Sequence, residues 1–328
     1  MNKMHNKNAA ATLLAAVLLT LSTVGSAQGQ PWPTKPVRLI VPFPAGGNTD
    51  AIARILAEQL GPRFGQAVIV ENRGGAGGTL GADIVAKSLP DGYTLLLGTS
   101  ADQINAPFLY IKLPYAPFQD LAPVSLIARD PIMMFAGKMA PVQSAQDLLS
   151  YARTNPGVLS FASSGAGTTG HLAGALLQQL AGIRLNHVPY KGSTPAMTDV
   201  IGGHVDLLFA SPIAAAAHVK TGSLKPIAIA SGARIAGEPG VPTFKESGAA
   251  VDISTLYFLM APSTTPPPVL EKLSREVRSV LAEPRTAGRI FALGAEPVGN
   301  TTAQASAILA SERTKWKAVI QNAKITAN

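Results

Sequence analysis

The chain contains no cysteine. That excludes a disulfide framework, a thiol nucleophile and a lipid anchor on cysteine. It also leaves nothing to misoxidise in a compartment that oxidises thiols. Charge is sparse: 14% of the 328 residues are Asp, Glu, Lys or Arg, against 47% hydrophobic. A sizeable core can form, and disorder is excluded for most of the length. The basic residues are scattered singly, and no helix-turn-helix, zinc-finger or RNA-binding pattern occurs, so nucleic acid is not an expected partner. No G-K-[ST] is present, which removes a Walker A loop. No G-x-S-x-G is present either; Gly98-Thr99-Ser100-Ala101-Asp102 lacks the closing glycine of a nucleophile elbow. Beyond the N-terminus, His171, His187, His204 and His218 form no H-E-x-x-H or H-x-H pair, so no metal site is expected. No catalytic residue and no cofactor emerge from this survey. Past the first residues, no segment reaches about 18 unbroken apolar positions, the length a membrane helix needs.

The N-terminus has the build of an export signal. Lys3 and Lys7 precede the apolar run Ala9 to Leu21, and Gly25-Ser26-Ala27 offers small residues for cleavage. Residues 1–27 are read as a signal peptide, which places the mature protein in the periplasm. The formal charge of +8 comes from 27 basic and 19 acidic residues; without Lys3 and Lys7 it is 25 against 19, or +6. A mild basic excess suits small anions but is ordinary for an exported protein.

The remaining chain is organised around one pattern that occurs twice. Val37 to Val41 is a short β-run, ended by Pro42 and Pro44. Ala45-Gly46-Gly47 allows a sharp turn, Asn48 or Thr49 can cap a helix, and Ile52, Ile55, Leu56 and Leu60 recur at helical spacing. Val158 to Ala162 is again a strand, followed by Ser163-Ser164-Gly165-Ala166-Gly167. There Thr168 or Thr169 can cap, and Leu172, Leu176, Leu177 and Leu180 form the helical stripe. Each copy continues as loop, helix and strand, making two βαβαβ units. Each unit opens on a helix N-terminus with unpaired N–H groups, a natural seat for an anion. A tight βα turn with no ligand would read the same way locally.

The units predict an α/β protein of two lobes facing a cleft. Lobe 1 is expected over 31–129 plus 253–328, and lobe 2 over 130–252, with two crossings that form a hinge. The C-terminal part reads as helices over about Val269 to Leu281, Arg285 to Leu293 and Thr302 to Asn322, the last packing Trp316. Ser144 with Asp147 resembles an N-cap pattern.

Several motifs carry two readings. Gly165, Gly167 and Gly170 fit G-x-G-x-x-G, but no acid follows at the next strand end, where Asn186 to Pro189 stand; the first acid is Asp199. A dinucleotide site is therefore disfavoured. His171, in the first turn of the second helix, either donates to a ligand carboxylate or bonds locally to its loop. Asp50 either stabilises its own helix terminus or faces a cationic or hydroxyl part of a ligand. His187 and His204 read as structural, and Asp206 as a loop anchor.

The segments VPFPAGGNTDAIAR, VENRGGAGGTLGA, DGYTLLLG, SFASSGAGTTGHLAG, HVPYKGSTPAMTDVIGGHVDLLF, VPTFKESG and SERTKWKAVI together resemble the Bug-type (TctC-like) extracytoplasmic solute receptors of tripartite tricarboxylate transporters. The likeness covers nearly all of the mature chain, in order; Gly74 departs from a frequent proline. The resemblance implies a type II periplasmic-binding-protein fold and a small carboxylate ligand gripped between the two loops. Carried onto this chain, the grip falls on Phe43, Gly47, Asn48, Thr49 and Asp50, and on Ser164, Gly167, Thr168 and His171. Ser100, Ala101, Ala210, Ser211 and Pro212 would line the remainder. It also implies a monomer that delivers to large and small integral-membrane subunits. A sensory receptor and an exported carboxylate-acting enzyme are the alternatives.

Overall fold

A computed structural model describes residues 32–235, 237–322 and 325; the signal segment 1–27 lies outside them. In chain order the elements are β1 (Val37–Val41), α1 (Asn48–Phe64), β2 (Val68–Asn72), α2 (Thr79–Ala86), β3 (Thr94–Thr99), a π-helical turn (Ala101–Asn105) and α3 (Ala106–Leu109). Next come β4 (Leu121–Pro131), β5 (Met133–Gly137), α4 (Ala145–Thr154), β6 (Ser160–Ser163), α5 (Thr169–Ala181), β7 (Asn186–Pro189), α6 (Ser193–Ile201), β8 (Leu207–Ala210), α7 (Pro212–Lys220) and β9 (Leu224–Ile229). The chain closes with β10 (Ser254–Pro262), α8 (Pro267–Leu281), α9 (Pro284–Phe291), β11 (Glu296–Pro297) and α10 (Thr302–Asn322).

Two mixed sheets result. One has the order β11-β4-β10-β3-β1-β2, the other β7-β6-β8-β5-β9. The doubled sequence pattern is visible in this order. β2-β1-β3 and β7-β6-β8 are both parallel triplets, each flanked on its third strand by an antiparallel neighbour, β10 or β5. Parallel pairing is what helical crossovers impose.

The chain passes from the first sheet to the second between β4 and β5 and returns into β10. The two passages lie side by side: Ser254 pairs with Pro131 and Thr255 with Asp130. Ala230 N–H donates to Ile132 O, and Ile253 N–H to Ala230 O. From Lys35 onward the contacts form one unit, and one apolar cluster takes residues from both sheets. Ile40 and Leu96 belong to it beside Phe161 and Phe209, as does Trp316, which is 2% exposed and packs in the core. At Gly174 a Cβ would stand 2.3 Å from the Phe161 ring, so α5 sits on β6 closer than any side chain allows.

Local signals were followed unevenly. Ser144 caps α4, its Oγ accepting from Asp147 N–H at 3.1 Å. α1 starts one residue early instead: Gly47 is the N-cap, with no side-chain bond to the helix, because the Asn48 amide is drawn to a partner far away in sequence. The stretch 101–109, without a periodic pattern, forms the π-helical turn and α3, with Pro107 in its first turn where a missing N–H costs nothing.

Candidate functional site

Parallel strands with helical crossovers place their loops at the strands' C-terminal ends, the usual place for a ligand in open α/β sheets. The fourteen candidate residues fall there in four groups. Phe43 and Gly47 to Asp50 follow β1, and Ser100 and Ala101 follow β3. Ser164, Gly167, Thr168 and His171 follow β6, while Ala210, Ser211 and Pro212 close β8 and open α7.

Members of all four groups, or their direct neighbours, converge on the paired passages of β4 and β10. Asn48 Nδ2 donates to Asp130 Oδ2 at 3.0 Å, and Ser211 Oγ donates to Asp130 Oδ1 at 2.9 Å. Tyr257 OH donates to the same carboxylate at 3.1 Å. Leu256 N–H donates to Ser100 Oγ at 2.9 Å, and Thr255 Oγ1 to Thr169 Oγ1 at 2.9 Å. Thus α1 and the end of β3 in one sheet, and α5 and the start of α7 in the other, are tied to two consecutive residues of β10 and one of β4, which Tyr257 of β10 also holds. Burial pushes the Asp130 carboxyl up to about 6, against the three hydrogen bonds that favour its charge. The same burial raises Tyr257 well above its ordinary value.

Among the described residues, the two helix N-termini keep free donors. Ala51 N–H bonds Gly47 O, and Leu172 N–H bonds Thr168 O. The amides of Asn48, Thr49 and Asp50, and those of Thr169, Gly170 and His171, precede the first helical acceptor of their helices. Other candidate donors are used within their own loops. Gly167 N–H donates to His171 Nδ1 at 3.0 Å, and Thr168 Oγ1 donates to Gly165 O at 2.8 Å. His171 therefore bonds its own loop, and its Nδ1 carries no proton. It stacks on His187 at 3.8 Å between ring centres, and His187 stacks on Phe161 at 4.8 Å. Burial lowers His171 to about 4 and His187 to about 3, so both rings are neutral at pH 7.

The acids near the loops are turned to the chain's own donors. Asp50 Oδ2 accepts from Gly46 N–H and Arg54 Nε, each at 3.0 Å, and Oδ1 accepts from Asn72 Nδ2 at 3.1 Å. Burial works to raise its pKa, but these bonds and the Arg54 charge leave it lowered. Asp50 thus folds the Gly46-Gly47 turn back on the helix. Asp102, fully buried, accepts from Thr99 N–H and Oγ1 at 2.8 Å and from Gln103 Nε2 at 2.7 Å; burial raises it to about 6. Asp206 anchors β6, accepting from Ser160 N–H and Oγ at 2.8 Å.

The loop after β6 also touches the first sheet's half directly. A Cβ on Gly167 would lie 2.4 Å from Leu109 Cδ1, and Asn105 Nδ2 donates to Gly167 O at 3.3 Å. Asp130, Tyr257, Thr255 and Asn105 were not found by reading the sequence. Their partners stand 62 to 127 positions away, and no local pattern marks such pairs. A separate cavity of about 280 Å³ lies between α7 and the α9–β11 segment; it includes Pro212. Its walls include Ile213 and Phe291, with Glu238 and Glu296 at hand, which is a poor match to an anion.

Residues 52–325 match the family model described as "Tripartite tricarboxylate transporter family receptor". The chain is 36% identical over 314 residues to protein BugT of Bordetella pertussis, covering 94% of this chain and 96% of that one. Among solved structures it resembles a protein of R. palustris with adipate (33% identity, TM-score 0.84, 90% of this chain and 99% of that one). It also resembles MatC from Rhodopseudomonas palustris with bound malate (31%, TM-score 0.79, 88% and 100%) and the periplasmic binding protein BugD (35%, TM-score 0.80, 90% and 99%). With two sheets that repeat one topology, loops gathered at their shared crossing and a match over most of its length, this chain belongs to the receptor family of the tripartite tricarboxylate transporters.

Proposed function

We propose that this chain is a periplasmic receptor that holds a small carboxylate between lobe 1 (31–129 plus 253–328) and lobe 2 (130–252) and hands it to the membrane subunits of a transporter. The observation that carries this reading is the pair of free helix N-termini, α1 and α5, each beside residues tied to the β4–β10 passages. In this geometry the donors are the amides of Asn48 to Asp50 and of Thr169 to His171, rather than Gly167 N–H, which His171 already uses. Phe43, Gly47, Ser100, Ala101, Ser164, Thr168 and Ala210 to Pro212 form the surroundings. Asn48 and Ser211 contribute through their backbone, since their side chains are on Asp130. Similar proteins have been solved with adipate and with malate, which supports the carboxylate class.

Charge-assisted hydrogen bonds contribute roughly 1.5–3 kcal/mol each. Four of them give about 6–12 kcal/mol; less an association cost of at least about 4 kcal/mol, the upper bound is about −8 kcal/mol, or micromolar affinity. Backbone donors recognise the carboxylate and leave the rest of the ligand to neighbouring side chains. No group of His, Asp and Glu that could hold a metal ion stands among the described residues, and the reading requires capture without chemistry.

The test is native mass spectrometry of the purified protein, followed by a thermal-shift and calorimetric panel of mono-, di- and tricarboxylates. A carboxylate at about 100 times its Kd stabilises the fold by about 2.7 kcal/mol. Thr168→Trp is expected to abolish that shift while leaving the unliganded melt near wild type. A panel with no shift, or an unchanged affinity in Thr168→Trp, refutes the reading.

A further inference from the structure

Resting on the receptor reading above, we propose that Asn105 selects the ligand: its side-chain oxygen accepts a hydrogen bond from an O–H or N–H on the bound acid. Asn105 closes the π-helical turn after β3 and is 1% exposed. Its Nδ2 donates to Gly167 O at 3.3 Å, across to the loop after β6. A carbonyl can only accept, so this bond fixes which end of the amide is the oxygen. That oxygen, Oδ1, is buried and has no partner among the described residues. A buried amide oxygen left unpaired is costly, and a bound molecule that supplies a donor removes the cost.

Gln103 Oε1, on the same turn, is also unpaired. The Gln103 amide is held on Asp102 within its own turn, whereas the Asn105 amide touches the loop of the other sheet. Of the two, it is Asn105 that reaches a loop carrying candidate groups, at Gly167. Phe43 reaches the same turn: its Cζ and Asp102 Cβ both stand 3.2 Å from the position of a Cβ on Gly78.

The chemistry follows from the sign of the group. An amide oxygen repels a carboxylate and has nothing to offer a methylene. The carboxylate belongs at the helix N-termini, and a hydroxyl or ammonium on the carbon chain belongs at Asn105. The ligand class is accordingly a hydroxy- or amino-substituted carboxylic acid, in preference to its unsubstituted analogue. A site built to pair a donor rejects the analogue that lacks it far more sharply than an apolar pocket rejects a missing methylene.

The experiment is calorimetry of the full mature chain with matched acids: succinate, malate and aspartate, and propionate, lactate and alanine. Wild type is expected to bind a donor-bearing acid at least about tenfold more tightly than its unsubstituted partner. The stronger of the hydroxy and amino acids identifies the donor. Asn105→Leu, similar in size and without polar side-chain atoms, is expected to level each set to within about threefold, with a melting curve reporting its fold. Equal binding within the sets by wild type overturns the proposal, as does a preference that survives in Asn105→Leu. Binding confined to acids without an O–H or N–H donor overturns it too. The wild-type comparison decides the matter even if the variant does not fold. A chain that binds no carboxylate refutes the receptor reading itself, a result distinct from binding without preference.

Discussion

Gly167→Ala tests whether the loop after β6 is pressed against the first sheet's half in solution. Gly167 has φ +75°, in the left-handed region, where alanine costs about 1 kcal/mol more than glycine. The added methyl would stand 2.4 Å from Leu109 Cδ1, more than 1 Å inside the roughly 3.5–4.0 Å of a comfortable carbon contact. Leu109 is 4% exposed and has little room to yield, so overpacking adds about 1–3 kcal/mol. The substitution is expected to cost about 2–4 kcal/mol in all, a fall in Tm of roughly 3–6 °C for a chain of this size. Chemical denaturation of Gly167→Ala, Leu109→Ala and the double variant separates the two parts. Leu109→Ala alone leaves a cavity and costs about 2–5 kcal/mol. In the double variant the clash is gone but the backbone strain remains. The double should therefore be less destabilised than the sum of the singles by about 1–3 kcal/mol. Additivity within about 0.5 kcal/mol would refute the contact and, with it, the approach of Asn105 to Gly167.

Two further expectations follow from the buried polar groups. Asp130→Asn places an amide N–H₂ among three donors, Asn48, Ser211 and Tyr257, and is expected to cost about 2–4 kcal/mol in urea denaturation at pH 8; a loss under 0.5 kcal/mol would show that these bonds do not persist. His187 is held near 3, below its ordinary 6.5, so the folded state binds fewer protons than the unfolded one and stability is lost as pH falls below about 6.5. Asp102 and Asp130, raised to about 6, act in the opposite direction between about 6 and 3.8. They cancel when wild type is compared with His187→Phe, which carries both. From pH 7 to pH 5 the variant should gain about 1 kcal/mol on wild type, after allowing for solvent screening at this half-buried ring; parallel curves would remove the histidine contribution.

Much of the scaffold was legible because its signals are local. The β-branched run at Val37 to Val41, the stripe at Leu172, Leu176 and Leu177, the Ser144 cap and the helix over Thr302–Asn322 depend on neighbours within a turn or two. The doubled strand–loop–helix pattern then implied two parallel triplets, since helical crossovers leave no other pairing. Departures came where a partner that the pattern did not name took the group. Asn48 has the chemistry of a cap, yet its amide serves Asp130, 82 positions on. Gly167 was read as a donor to a ligand, yet His171, four positions on, takes that N–H.

The sequence by itself determined the class of the molecule: an α/β chain with two helix N-termini ready for an anion, and without thiol, metal pair or nucleophile elbow. Those features follow from residue type and short spacing. Only the tertiary structure decided which of the donors remain free, that Asp130 gathers Asn48, Ser211 and Tyr257, and that Asn105 presents an unpaired oxygen where the two sheets' loops meet. Each depends on contacts between segments far apart in the chain, as the pairing of β4 with β10 brings Tyr257 to Asp130, and hydrogen bonds at that range are not set by any local pattern.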